Sequence, residues 1–438
     1  MRSEHPTRPA SWKWWICGLL LCASAINYMD RQTLANAAVR ITTHFQLTQE
    51  QYGNLEFAFG WAFAAGSLGF GILVDKIPVR WLYPIVLLLW SLVGFLTGST
   101  HSYLELLGCR TLLGLFEGGH WPCAIKTTQL LLEPKDRPLG NSVLQSGTSI
   151  GAIITPLVMR ALLTPEIDSW RLPFQVVGAL GLVWIFLWFV MVRPSDLHYP
   201  VPSRNHTGPT PGAPTIWQLI LSRRMLVLFG VVACINTCWQ TLRAWLPKFL
   251  QEGRGYLESD VLSFNALYYV ATDAGCLGAG AMTLWLARRG ATIHGSRTAV
   301  FCGCALLSAL TVGAVFLPKG APLLGVLLLT GAGTLGLFPI YHAFTQEISR
   351  DHQGKVTGVT GVAAWILSSP AQKFFGRLVD RTGSFDLGFA IAGLLPLVAF
   401  VLLWLWWDPP ARNSPTARGS TEGNTSGRTN TNPDPERS

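Results

Sequence analysis

Apolar positions in this chain come in long runs rather than in narrow stripes. Twelve stretches are dominated by hydrophobic residues: about 12–38, 51–74, 81–99, 103–128, 138–161, 172–192, 224–250, 260–286, 297–317, 322–348, 355–376 and 386–407. A helix needs about 20 apolar residues to cross the ~30 Å hydrocarbon layer of a bilayer. Helices also satisfy their own backbone hydrogen bonds, as lipid requires. The pattern therefore predicts an all-α membrane protein of twelve transmembrane helices. The long polar interruption at 193–223, with Pro200, Pro202, Pro209, Pro211 and Pro214, reads as a cytoplasmic linker between six-helix halves at 12–192 and 224–407. Residues 1–11 form a short N-terminus, and 408–438, built of Ser, Thr, Asn, Gly, Arg and Pro, reads as a disordered tail.

The two halves echo one another. Gly140, Gly147 and Pro156 recur 214 positions later as Gly354, Gly361 and Pro370. Ile26-Asn27 is matched by Ile235-Asn236, and Gln32-Thr33-Leu34 by Gln240-Thr241-Leu242. Together these favour two pseudo-symmetric bundles, an arrangement suited to alternating access around a site near the membrane midplane.

Composition agrees with this reading. Only 13% of the residues are charged, against about 25% in a soluble domain, and 18 tryptophans suit aromatic girdles at two interfaces. With the N-terminus inside, fourteen Lys and Arg fall in inner loops and eight in outer ones. That bias predicts a multi-pass membrane protein with both termini cytoplasmic. The net charge of +9 is then a topology signal, and nothing suggests a nucleic-acid partner. The first apolar run is too long for a cleavable signal and continues into the bundle. Nine cysteines are scattered without metal-ligand spacing and read as packing residues. No phosphate-binding Gly-rich loop and no His-Glu-x-x-His motif occurs, so neither ATP hydrolysis nor an enzyme is indicated, and no cofactor or metal is expected.

Charges inside the apolar runs carry the chemistry. An ionised side chain at mid-bilayer costs at least ~3 kcal/mol, so it marks a functional site. Asp30 and Arg31 stand together in the first run, and Arg110 and Glu117 lie seven residues apart in the fourth, on one helical face about 10 Å apart along the axis. Depth counting makes Asp30–Arg110 the easier pair and Arg31–Glu117 the more demanding one. The four charges sum to zero, the state a buried cluster prefers. An entering carboxylate would leave one negative charge over. Protonation of Asp30 or Glu117 restores neutrality and frees an arginine for bidentate binding. Proton-coupled uptake of an anion follows, with Asp30 or Glu117 taking the proton and an arginine of the set receiving the substrate. His120, one turn beyond Glu117, either relays protons or packs against the first helix, and Pro122 is expected to kink its helix.

Amides and aromatics supply the rest of the predicted site. Gln145 sits mid-helix, where its amide suits sugar hydroxyls; Gly147 and Gly151 beside it equally suit close helix packing. Trp239, Gln240 and Arg243 in the seventh run, His342 in the tenth, and Tyr28 beside the first charge pair complete the candidate substrate contacts. Asp273 and Lys373 are further intramembrane charges that pair with each other or with Arg243.

Several motifs resemble known proteins. Gly71-Ile72-Leu73-Val74-Asp75-Lys76, followed by Arg80, resembles the loop signature of the major facilitator superfamily, with Pro78 where glycine is usual. In that reading Gly71 permits close helix approach, and Asp75 pairs with inner-loop cations in one conformation. Asn27-Tyr28-Met29-Asp30-Arg31, Arg110-x-Leu112-Leu113-Gly114-x-x-Glu117 and Trp245-Leu246-Pro247-Lys248-Phe249-Leu250 are similar to the anion:cation symporter branch, which includes hexuronate, galactonate and glucarate transporters. The resemblance implies a transporter of small organic anions driven by protons in the inner (plasma) membrane, with Asp30 and Glu117 as proton carriers and Arg31 as substrate contact. One bundle can complete a pathway through the lipid bilayer alone, so a functional monomer is expected. An exchanger, a proton-independent uniporter and a non-transporting nutrient sensor are the alternatives. The specific anion and the number of protons stay open.

Overall fold

The computed structural model describes residues 11–133, 135–193, 196–197, 216–348 and 353–407. Most of the proposed linker and all of the proposed tail lie outside the described residues.

Sixteen α-helices follow one another, and no strand occurs among the described residues. They are α1 (Trp12–Asn36), α2 (Ala38–His44), α3 (Gln49–Lys76), α4 (Val79–Thr97), α5 (Tyr103–Glu117), α6 (His120–Leu131), α7 (Arg137–Leu162), α8 (Arg171–Met191), α9 (Ile216–Ile220), α10 (Arg223–Lys248), α11 (Glu258–Arg288), α12 (Ile293–Ala309), α13 (Thr311–Ala314), α14 (Ala321–Thr345), α15 (Gln353–Thr382) and α16 (Asp386–Trp406). Among the described residues, nine helical segments are long and apolar enough to cross a membrane. The other three of the twelve crossings depart from that pattern: α1 carries intramembrane charge, the fourth crossing breaks between α5 and α6, and α15 is polar, with Lys373, Arg377, Asp380 and Arg381 in its last third. Outward faces are apolar, as at Trp15, Phe186, Leu277 and Trp404, so lipid rather than water suits them.

Local chemistry sets the helix ends. Thr48 and Gln51 form a reciprocal capping box at the start of α3, and Ser102, Ser222 and Thr292 each accept from the backbone N–H three residues on. The fourth crossing breaks at Gly118-Gly119. A Cβ on Gly118 would lie 2.6 Å from backbone atoms of α3, so the two helices meet there only through glycine. Pro122, expected to kink this crossing, is instead the third residue of α6. Its missing N–H has no intrahelical partner in that turn, so it leaves the helix intact.

Three apolar clusters organise the interior. One lies within α1–α8, around Ile16, Tyr83, Trp90 and Trp184. A second lies within α10–α16, around Leu228, Phe301, Phe344 and Trp407. The third joins both halves around Ile41, Tyr52, Trp245, Tyr268 and Phe389. Across the halves α3 runs along α15, and α7 along α11. The halves are thus separately packed at one end and fused at the other. The fused end carries Arg40 and is called the Arg40 end; the opposite end carries Asp75.

Candidate functional site

A cavity of about 460 Å³ lies between the halves, walled by α1, α6, α7, α10, α11 and α14. Its volume is in the range typical of small-molecule sites, about 300–1,000 Å³. Tyr28, Arg31, Gln145, Trp239, Gln240, Arg243 and His342 all line it, as does Asp273. Toward the Arg40 end the walls close: every residue of α1 from Met29 to Asn36, and of α10 from Cys238 to Lys248, is buried. Toward the other end Asn141, Ser142, Gln145 and Ser146 of α7 and Gln346 of α14 are exposed. Polar side chains exposed within a crossing fit an aqueous mouth rather than lipid.

Arg31 is the most elaborated group on the wall. Its Nε donates to Glu117 Oε2 at 2.7 Å and its Nη2 to Asn27 Oδ1 at 2.9 Å, one helical turn away. Its guanidinium carbon lies 4.5 Å from the Phe63 ring, 5.2 Å from Phe59 and 5.5 Å from Trp365. Arg31 is therefore held in an aromatic cage, with one wall contributed by the second half through α15. The break after Glu117 lets α5 end with this carboxylate against α1.

The pairing differs from the sequence expectation. Arg31–Glu117, the demanding pair, is formed, whereas Asp30–Arg110 is not a salt bridge. Both Asp30 oxygens are buried without a hydrogen-bond partner among the described residues. The side chain occupies the space left by Gly94, whose added Cβ would lie 2.9 Å from Asp30 Oδ1. Arg110 is fully buried and turns to Glu56 of α3, at 3.6 Å, with its guanidinium 4.7 Å from the centre of the Phe59 ring. Depth along a helix sets which side chains can reach one another, and azimuth decides which neighbour each one meets.

Glu56 is the residue that sequence reasoning missed. It is buried, and it bridges Arg110 of its own half to Arg243 of the other half. Gln240 completes the set by accepting from Arg243 Nε at 2.6 Å. An acid within the apolar run 51–74 was a signal open to the same rule that singled out Asp30 and Glu117.

Asp273 and Lys373 do not pair with each other or with Arg243. Asp273 accepts from Ser149 of α7 at 2.8 Å, while Lys373 lies 3.7 Å from Glu50 at the Arg40 end. Lys373 lies in the half of α15 toward the Arg40 end and reaches Glu50 in the first turn of α3, whereas Asp273 is mid-helix in α11 beside α7. His120 packs rather than facing the cavity: it is fully buried, bonded to Ser24 and to Tyr83 OH at 3.0 Å each, against Trp90 and Trp121. Gly147 and Gly151 are packing glycines, set against backbone oxygens of Leu21 and Ala25 in α1.

In the loop motif, Asp75 accepts from Lys126 of α6 at 2.7 Å. Lys76 is exposed. Arg80 caps the Val192 carbonyl at 3.2 Å and stacks on Trp81 and Phe189, so it is not Asp75's partner. A Cβ on Gly71 would meet nothing within 4 Å, so the expected close helix approach is not made at this open end.

The Arg40 end is laced by polar contacts between the halves. Arg40 binds Glu258 at 2.6 Å, Arg377 binds Glu50 at 2.6 Å, and Asp380 accepts from the first N–H groups of α3 at 2.8–2.9 Å. The fully buried Lys248 donates to Thr42 at 2.8 Å, and Asn265 to Asn36 at 2.8 Å.

Two pseudo-symmetric helical bundles enclosing a charge-lined cavity between them are the build of a membrane transporter. The chain belongs to the Major Facilitator Superfamily, whose family model matches residues 20–372. It is 28% identical over 392 residues to a probable sulfoacetate transporter of Cupriavidus necator, covering 87% of this chain and 90% of that protein. It is 25% identical over 394 residues to a probable L-galactonate transporter of Escherichia coli, covering 86% and 85%. It is 23% identical over 427 residues to that organism's hexuronate transporter, covering 90% and 93%. The fold resembles a bacterial homologue of the human lysosomal transporter Spinster in an inward-facing, unoccupied conformation (TM-score 0.73, 16% identity, 91% and 96% covered). It also resembles a D-xylose–proton symporter (TM-score 0.69, 15% identity, 90% and 98% covered).

Proposed function

We propose that this chain imports an organic anion, a sugar acid such as a hexuronate, by proton symport through alternating access, as a monomer in the inner membrane. The observation that carries this reading is the grip of Glu117 on the cavity-lining Arg31. Three buried acids (Asp30, Glu56, Glu117) balance three buried arginines (Arg31, Arg110, Arg243). A carboxylate cannot join that set without a compensating proton. A proton on Glu117 removes the competing acceptor and turns the guanidinium toward the substrate, where its fork matches a carboxylate. Asp30 is the second candidate carrier: a proton there displaces no hydrogen-bond partner, because it has none among the described residues. The amides and aromatic rings of Gln145, Trp239, Gln240 and Tyr28 suit the hydroxylated body of the substrate. With both termini cytoplasmic, as the Lys and Arg bias suggests, the Asp75 end faces the cytosol and the cavity is in its inward-open state.

The names of the relatives support an anionic substrate, sulfoacetate as well as hexuronate and galactonate. The test is uptake of labelled galacturonate into proteoliposomes, with and without an inward proton gradient, for wild type and Glu117→Gln. Gradient-dependent accumulation that disappears in Glu117→Gln is expected. Uptake that ignores the gradient and survives the substitution sinks symport and leaves a uniporter.

A further inference from the structure

Resting on the anion-transport reading, we infer that Asp273 is a specificity filter: it selects a monoanion whose far end carries hydroxyl groups and rejects a molecule charged at both ends. Of the charged side chains on the cavity wall, Arg31 is paired with Glu117 and Arg243 with Glu56. Asp273 also lines the cavity, yet it has no Lys or Arg partner among the described residues. Its hydrogen-bond partner among the described residues is the Ser149 hydroxyl, 2.8 Å away on the opposite half.

Depth separates this acid from the arginine. The Arg31 guanidinium reaches down α1 to Asn27, which accepts from it at 2.9 Å. Ser149, the partner of Asp273, lies between Gly147 and Gly151 of α7, which pack on Leu21, Ser24 and Ala25 of α1. The carboxylate is thus held about 3–6 Å nearer the mouth than the guanidinium, the rise of two to four helical residues. A substrate whose carboxylate reaches the arginine deep in the cavity extends its other end past Asp273. Hydroxyl groups there donate to an ionised acceptor, a strong hydrogen bond. A second carboxylate or sulfonate there meets a like charge, which costs several-fold more than a lost contact. Ser149 fixes the carboxylate from the first half, and Gln145 and Thr148 on the same helix supply further polar groups for hydroxyls.

A matched pair tests this, because galactonate and galactarate share a carbon skeleton and differ by one terminal carboxylate. Their competition against labelled galactonate uptake would be measured in proteoliposomes for wild type, Asp273→Asn and Ser149→Ala. Wild type should prefer galactonate by at least about 30-fold. Asp273→Asn, which keeps size and hydrogen bonding, should narrow the ratio to about 5-fold or less, and Ser149→Ala should narrow it partway. Melting temperature in detergent, and its rise with each compound, reports folding and binding independently of transport. Equal competition in wild type, or a ratio unchanged in folded Asp273→Asn, overturns the filter while leaving proton-coupled anion transport standing. Transport and binding of neither sugar acid overturns both.

Discussion

The two walls of the cavity solve different problems. The first half concentrates buried charge, with Asp30, Arg31, Glu56, Arg110 and Glu117 on α1, α3 and α5. The second half offers amides, hydroxyls and rings, with Arg243 the one buried arginine among its described residues, Lys248 buried at the Arg40 end and Asp273 half-buried at the cavity. Even Arg243 depends on the first half, because its acid is Glu56. Asn27 and Asn236 stand at matching places in the repeat, yet Asn27 orients Arg31 while Asn236 donates to Ser368 and to the Ala364 carbonyl within its own half. A duplicated scaffold has thus kept one backbone plan and divided its side chains: one wall handles charge, the other handles shape and hydroxyls. The division has a physical reason. Buried charges support one another only in contact, so a balanced cluster is cheaper in one place than as two half-clusters.

Breaking the charged wall should have the largest effect. Arg31→Lys keeps the charge but loses the fork that binds Glu117, Asn27 and a carboxylate, so uptake should fall about 100-fold or more; near-normal uptake would refute the role of the guanidinium. Next comes the cross-half pair. Glu56→Gln leaves two arginines without their acid and should cost about 3–5 kcal/mol in stability, read as a lower melting temperature in detergent. Adding Arg243→Gln should recover a substantial part of that loss; an additive double variant would show that the two residues do not interact. The Arg40–Glu258 contact is only 13% and 23% exposed, and Arg40 also donates to the Glu166 carbonyl and Ser169, so Arg40→Ala should cost about 1–3 kcal/mol in stability. It should also favour opening at that end, measured as faster modification of a cysteine placed at Ser263. The smallest effect belongs to Lys126→Ala at the exposed Asp75 partner, within about 0.5 kcal/mol of wild type in stability.

Much of the bundle was legible in the chain. Apolar runs delimited the crossings to within a few residues because lipid tolerates helices and little else. The exceptions mark places where neighbours intervene: the fourth crossing breaks at Gly118-Gly119 because α3 presses on it, and the first continues as α2 beyond Asn36. The charged residues were legible too, since each is expensive in an apolar run. Glu56 was open to the same logic and was passed over because no adjacent charge drew attention to it.

By itself, then, the sequence determined which segments span, that there are two related halves, and which side chains carry charge into the membrane. These follow from transfer free energies that each segment meets alone. Only the tertiary structure decided who pairs with whom: Arg31 with Glu117, Arg110 with Glu56, Arg243 across the halves, Asp273 with Ser149, and Asp30 with no hydrogen-bond donor beside Gly94. Pairing depends on the rotation of each helix about its axis and on its distance from its neighbours. Those are set by the packing of many small contacts at once, and no single run of residues contains them.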